Sequence, residues 1–287
     1  MKKILVLLTL ILTLAGCSDA SVRVSNRNEA VISVGSTSIT RGQLFDMMIN
    51  QDPAGTVITM AKEIILADKI EVTDEVRTKA RETFETIKES FGETFSDYLV
   101  QYGYKDEQDY IDKALIPFTL QEFATEAYVR ENFERLSAEY YPRQVRILQT
   151  TKEEDAKAAI AEIQDGANFE DTAKKYSTST TYKGEMELVH KASGKPTAIN
   201  TYLSTVRQPT LTSTPIKDDT NTLYYVVQVI EANPERFLDE AVKSLSAIAA
   251  ISDEMFVKYF EEANFQIYDI DVYAGVKESF AKFLPKK

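Results

Sequence analysis

Residues 4–14 are apolar but for Thr9 and Thr13, behind Lys2 and Lys3 and leading into Leu14-Ala15-Gly16-Cys17. Such a run is shorter than the ~20 residues a membrane helix needs, so it reads as a cleaved export signal. Residues 18–28 are polar and aperiodic, a tether. From Ala30 to Ile39 β-branched residues flank Gly35, predicting a small strand-turn-strand, and Thr40 caps the helix that follows. Helical spacing then dominates up to Ala138. Leu44, Phe45, Met48 and Ile49 share a face until Asp52-Pro53 breaks the run. Residues 57–70 form a helix apolar enough to require burial. Thr73-Asp74-Glu75 starts another, with Val76, Ala80, Phe84, Ile87 and Phe91 on one stripe and Gly92 near its end. Phe95 to Tyr102 is a short helix stopped by Gly103. Asp106 or Glu107 opens the next, which Pro117 kinks or ends, and residues 118–138 are helical again.

The period changes at Tyr140-Tyr141-Pro142. Residues 144–149 read as a strand, 152–164 as a helix with Gly166 just past it, and Asn168 caps a second helix through Tyr176. A Ser/Thr-rich loop over 177–181 leads to a strand at 185–189. A short helix lies within 195–208, and residues 222–230 form the strongest strand in the chain. Strand, two helices, strand, helix, strand in about 90 residues describes a compact α+β domain. After Asn233-Pro234 the pattern predicts one long helix over 239–263, a brief strand at 265–267 and a last helix at 272–283. That C-terminal segment is too small for a core of its own, so it should complete the N-terminal helical domain.

The domain boundaries that follow are 1–16 for the signal peptide and 17–29 for the tether. A helical domain takes 30–140 plus 233–287, and an inserted domain takes 141–232. The fold class is α+β.

Charge and two rare residues narrow the function. The 45 acidic against 33 basic residues give a formal charge of -12, which removes the footprint of non-specific nucleic-acid binding. One Cys excludes an intrachain disulfide, a CxxC pair and any multi-thiolate metal site. One His excludes any mechanism that uses two imidazoles. That residue, His190, sits beside Lys191 in a loop-like stretch and reads as a solvated surface group. The acidic runs at 152–155 and Asp218-Asp219 lack the spacing of calcium loops and read as solvated faces. No metal and no cofactor is expected.

Leu14-Ala15-Gly16-Cys17 resembles the lipobox of bacterial lipoproteins, in which the cysteine is acylated and becomes the new N-terminus. Further along, several stretches resemble one family as they stand. These are Ser38-Ile39-Thr40, Val72-Thr73-Asp74-Glu75-Val76, Phe95-Ser96-Asp97-Tyr98-Leu99 with Gly103-Tyr104, and Ala263-Asn264-Phe265-Gln266-Ile267. Within the middle, Val145-Arg146-Ile147-Leu148, Asp165-Gly166-Ala167-Asn168-Phe169, Ala173-Lys174-Lys175-Tyr176-Ser177 and Tyr224-Tyr225-Val226-Val227 look like parvulin landmarks. Their order resembles the PrsA-type foldases, Gram-positive lipoproteins related to the SurA-like chaperones. These place a parvulin-type peptidyl-prolyl isomerase domain inside a helical chaperone domain built from both chain ends.

The resemblance implies a lipid on Cys17 and a place at the extracytoplasmic face of the cell membrane. It implies partners that are unfolded or partly folded exported proteins, with a homodimer left open. It does not carry over the catalytic centre. The family's two histidine positions are Arg146 and Tyr225, its acidic or thiol position is Ser179, and its Gly-Gly-Asp-Leu-Gly loop is reduced to Lys183-Gly184-Glu185-Met186-Glu187. No residue of 195–206 can be assigned to the proline pocket. The expectation is a chaperone whose parvulin domain is a weak or inactive isomerase, with a histidine-free isomerase as the alternative. From other classes, a solute-binding lipoprotein of an importer would need two doubly wound α/β lobes, and a surface adhesin would need repeats or a sugar-binding cluster.

Overall fold

The computed structural model describes residues 24–51, 53–220 and 222–285. The signal, Cys17 and most of the tether lie outside the described residues. Of these, the residues up to Gln121 together with those from Asp253 form one compact unit, and Glu122–Ser252 forms another.

In the first unit, strands β1 (Ala30–Val34) and β2 (Thr37–Thr40) pair antiparallel around Gly35, which takes φ 61° in the two-residue turn. Thr40 ends the hairpin and starts helix α1 (Arg41–Ile49) through a reciprocal cap. Its Oγ1 accepts from the Gln43 N–H at 3.3 Å and its own N–H donates to Gln43 Oε1 at 2.9 Å. Helix α2 (Ala54–Lys69) buries Ile58, Ile65 and Leu66, and α3 (Asp74–Phe91), capped by Thr73, buries Val76, Ala80 and Phe84. Around α4 (Phe95–Gln101) aromatic rings interlock. Phe84 meets Phe95 edge-on at 5.6 Å, and Tyr110 meets Phe95 at 5.8 Å and Tyr104 at 5.0 Å. Each such pair adds about 0.5–1.5 kcal/mol beyond area burial. Burial in this cluster pushes the Tyr110 hydroxyl up to about 12.

Pro117 does not end its helix. Helix α5 (Glu107–Tyr110) continues as one widened turn, Ile111–Leu115, in which the Ile116 N–H donates five residues back to the Ile111 carbonyl. Helix α6 (Ile116–Glu131) then runs through the proline. Proline lacks an N–H, and its ring collides with the carbonyl four residues back in an ordinary helix; a widened turn just before it relieves that collision.

The C-terminal residues close this unit. Helix α13 (Ile270–Ser279) packs on α2, and Met255, Phe256, Val276 and Phe283 are all buried. Phe260 stacks on Phe283 at 4.8 Å, and Lys62 of α2 lies 4.5 Å from the centre of the Phe256 ring. Lys69 pairs with Glu262 at 2.6 Å. Residues 265–267 form no strand: no neighbouring strand offers them a ladder, and Phe265 turns its ring edge-on to Phe260 at 4.8 Å. The long helix expected over 239–263 is two, α11 (Leu238–Ser246) and α12 (Ala249–Glu262), after a 3₁₀ turn at Pro234–Phe237. Tight bonds from Ile248 to Leu245 and Ile251 to Ile248 interrupt it. Leu245 and Ile251 are thereby both buried six residues apart, a spacing that an unbroken helix would turn out of line.

In the second unit, α7 (Phe133–Tyr140) ends at Tyr141, a non-glycine residue at φ 39°, and the chain enters the sheet. The sheet order is β4 (Lys183–Val189), β3 (Arg143–Thr150), β7 (Tyr224–Glu231) and β5 (Thr210–Leu211), with β6 (Ile216–Lys217) also on β7; every pairing is antiparallel. Strands β5 and β6 escape sequence reading because two residues carry no periodicity. Helices α8 (Glu153–Gln164) and α9 (Phe169–Tyr176) cover one face, over Leu148, Ala156, Ile160, Phe169 and Val226. The other face packs Val145, Ile147, Tyr225 and Val227 with Ile199 and Leu203 of α10 (Thr197–Thr205). An all-antiparallel sheet is not a doubly wound lobe, which removes the importer-lipoprotein architecture from the described residues.

Gly184 sets how closely β4 approaches α9. It takes φ 86°, and a Cβ there would lie 2.6 Å from the Ala173 Cβ and 3.2 Å from the Glu170 Cα. Gly184→Ala should therefore destabilise this unit by about 2 kcal/mol or more, through overpacking and backbone strain together. Urea denaturation followed by circular dichroism would measure it; an unchanged midpoint would mean that β4 can move away freely.

Candidate functional site

Strand alternation decides where the parvulin positions go. In the β3–β7 ladder, Ile147 lies opposite Val227 and Gln149 opposite Tyr225, with no irregularity between Val145 and Thr150. Tyr225 therefore shares a face with Ile147 and α10, whereas Arg146 points to the opposite face, with α9. There the Arg146 guanidinium pairs with Glu170 and donates to the Gly184 carbonyl at 2.8 Å. Tyr225 is 2% exposed and meets the Tyr182 ring edge-on at 5.9 Å. Burial raises its hydroxyl above the ordinary range. Ser179 stays in the loop before β4, where its Oγ accepts from the N–H groups of Thr181 at 3.0 Å and Tyr182 at 3.1 Å. The structure thus links Ser179 and Tyr225 through Tyr182, and places Arg146 away from both. Tyr225 is packed in the core, and Arg146 is tied to a carboxylate on the other face.

His190 is not the solvated residue expected from its neighbours. It closes β4, is 7% exposed, and its Nδ1 accepts from the Ala192 N–H at 3.1 Å. Burial lowers its pKa, so the neutral ring with its proton on Nε2 is favoured. Sequence reasoning also missed a buried charge pair on the Tyr225 face. Lys195 donates to Glu187 at 2.6 Å and lies 5.0 Å from the Tyr182 ring centre, its side chain only 12% exposed. The two residues are eight apart across a loop, and no helical or strand period joins them.

A different kind of site lies in the first unit. Every residue of β1 is exposed, with Val31, Ile32 and Val34 open to solvent, and Ile39, Met47 and Met48 extend this apolar surface over β2 and α1. Met60 and Ile64, one turn apart on α2, are also exposed, at 56% and 68%. Helical spacing placed Leu44 and Met48 on one face, and both side chains are exposed. Unbranched methionines among aliphatic residues suit adaptable apolar contact.

Residues 1–18 match the prokaryotic membrane lipoprotein lipid attachment site. The chain is 27% identical to foldase protein PrsA 2 of Listeria innocua, over 97% of this chain and 94% of that protein. It is 23% identical to foldase protein PrsA 2 of Bacillus cereus, over 96% and 94%.

The chain is similar to the PrsA-type foldase lipoproteins over nearly its whole length.

The crystal structure of foldase protein PrsA from Streptococcus pneumoniae has the same fold, with a TM-score of 0.50 at 18% identity, over 89% of this chain and all of that one. The chain is accordingly a lipid-anchored, membrane-associated protein of α+β fold. The chain holds one histidine, His190, and the positions read from the sequence as the family's two histidines, Arg146 and Tyr225, face opposite sides of the sheet.

Two outcomes follow. Restoring both histidines, Arg146→His with Tyr225→His, should produce no isomerase activity, because side chains on opposite faces cannot form one network. Exchange spectroscopy on a proline test peptide would read this, and a variant reaching ordinary parvulin rates would overturn the face assignment. The single histidine gives a second test. A lowered folded-state pKa means that His190 contributes stability above the ordinary value of about 6.5, and that this is lost as pH falls through the folded value. The His190 ring resonances should therefore titrate below 6.5; a midpoint at or above that value would refute the buried neutral ring.

Proposed function

We propose that this protein is a membrane-anchored extracytoplasmic foldase that holds unfolded exported chains on the apolar surface of its helical domain, with a parvulin-like domain of weak or absent isomerase activity. The observation that carries this reading is the open apolar surface over β1, β2, α1 and α2. A surface of this kind on an acidic protein binds exposed apolar segments, while the net charge opposes self-association. The PrsA relatives support the reading, and the lipoprotein signal supplies the anchor, through a lipid on Cys17. We assign the client-holding role to residues 30–140 with 233–287, and the parvulin-like role to 141–232. Exported chains emerge unfolded on the outer side of the membrane, which is where a lipid on Cys17 would retain the protein. A homodimer formed through the same apolar surface would compete with clients, so oligomeric state belongs in the same measurement.

The geometry weighs against a histidine-free isomerase. Tyr225 is core, Ser179 spends its hydroxyl on two backbone N–H groups, and Arg146 is committed to Glu170.

The test compares aggregation suppression and proline isomerisation on one sample. Met47→Ser, Met48→Ser and Ile64→Ser combined remove exposed side chains and should leave the melting temperature close to wild type. Suppression of a denatured client should fall several-fold. Suppression equal to wild type, or isomerisation by the wild-type protein at ordinary parvulin rates, would refute the proposal.

A further inference from the structure

Arginine usually finds a carboxylate in this acidic chain. Arg27, Arg41, Arg130, Arg146 and Arg236 each pair with one. Arg77, Arg81, Arg143 and Arg207 show no ion pair among the described residues, and two of them, Arg143, which is 5% exposed, and Arg207, lie together. Charge buried without a counter-ion is costly, so where these two guanidinium groups point is informative.

Both turn to one carbonyl. Arg143 donates from Nε and Nη2 to the Val206 oxygen at 3.3 and 3.0 Å, and Arg207 donates from Nη1 to the same oxygen at 3.0 Å. Arg143 Nη1 also donates to the Pro142 carbonyl at 2.8 Å, and Arg207 Nη1 to the Ser204 carbonyl at 2.6 Å. Two guanidinium groups carry ten N–H donors, and here they share three carbonyl oxygens, so donors and positive charge are both in excess. Burial and the neighbouring Arg207 charge hold the Arg143 pKa below its ordinary value.

The two arginines line a cleft of about 480 Å³ with Ser137, Ala138, Tyr141, Ala232, Asn233 and Pro234. The volume falls within the range of ligand sites, about 300–1,000 Å³. Tyr141 holds φ 39° where α7 gives way to β3, and such a conformation in a non-glycine residue recurs at ligand clamps. The acid nearest in sequence to the wall at Ala232 and Asn233, Glu231, is already engaged by the N–H groups of both residues and by Arg236.

We propose that this cleft is a carboxylate-binding site that takes an acidic polypeptide segment, its carboxylate on Arg143 and Arg207 and a neighbouring apolar side chain against Tyr141, Ala138 and Pro234. A guanidinium fork matches a planar carboxylate, and the half-apolar lining favours a peptide over a lone ion. The site deepens the foldase reading by giving the second unit a selective contact with clients. It lies on different residues from the apolar surface of the helical domain, so the two can fail separately.

The test uses the full mature protein and a fluorescein-labelled peptide of mixed Leu and Glu, beside the same peptide with Gln for Glu and an amidated C-terminus. Anisotropy at low salt should show binding of the acidic peptide alone. Arg207→Gln, at an exposed position, should weaken it about tenfold with the melting temperature unchanged, and Arg207→Lys should recover part of the loss. Equal binding of the Gln peptide, or equal affinity of wild type and Arg207→Gln, would overturn the proposal. Binding of inorganic phosphate without binding of the acidic peptide would likewise overturn it. Loss of peptide binding while aggregation suppression persists supports a separate site, and leaves the apolar-surface reading to its own test.

Discussion

Strands β3 and β7 must be buried on both faces, and much of the second unit follows from that constraint. Their apolar side chains, Val145, Ile147 and Leu148 on one strand and Tyr225, Val226, Val227 and Val229 on the other, point in both directions from the sheet. Each face needs a helical cover, supplied by α8 and α9 on one side and α10 on the other. Fully burying one such side chain contributes about 1.5–3 kcal/mol, so a one-residue slip that reversed the faces would be prohibitive. The register is therefore fixed, and it sends Arg146 to one side of the sheet and Tyr225 to the other.

A charge in a half-buried position requires its own partners, and the second unit provides them locally. Arg146 has Glu170 and the Gly184 carbonyl, available because glycine lets β4 come close to α9. Lys195 has Glu187 and lies over the Tyr182 ring. These pairs hold the charged groups of the second unit in local contacts. Arg143 and Arg207 are the exception, since their partners are neutral carbonyls.

The first unit solves a different problem. Helix α2 is apolar on more than one side, and the C-terminal residues cover part of it through α13 and the Phe256, Phe260 and Phe283 rings. What they leave uncovered is the surface of β1, β2, α1 and the Met60–Ile64 side of α2. A cohesive aromatic cluster around Phe84, Phe95 and Tyr110 keeps the helices ordered without drawing on that surface.

Local chemistry was legible in the sequence, and long-range placement was not. Thr40, Thr73, Asp106 and Asn168 announce helix starts because a cap involves residues only two or three apart, and each caps as expected. The β-branched and aromatic residues of 222–230 identified the central strand, and the count of one histidine excluded the imidazole pair before any fold was known. The break between α11 and α12 and the passage of α6 through Pro117 were hidden, since each depends on a turn that widens or tightens without glycine. The burial of His190, the pairing of Lys195 with Glu187 and the exposure of Leu44 and Met48 were hidden for another reason. Sequence period states that a side chain shares a face with others; only the packed chain decides whether anything lies against that face. The same holds for Arg143, which is a buried cation because the Val206 carbonyl just past α10 is directed at it.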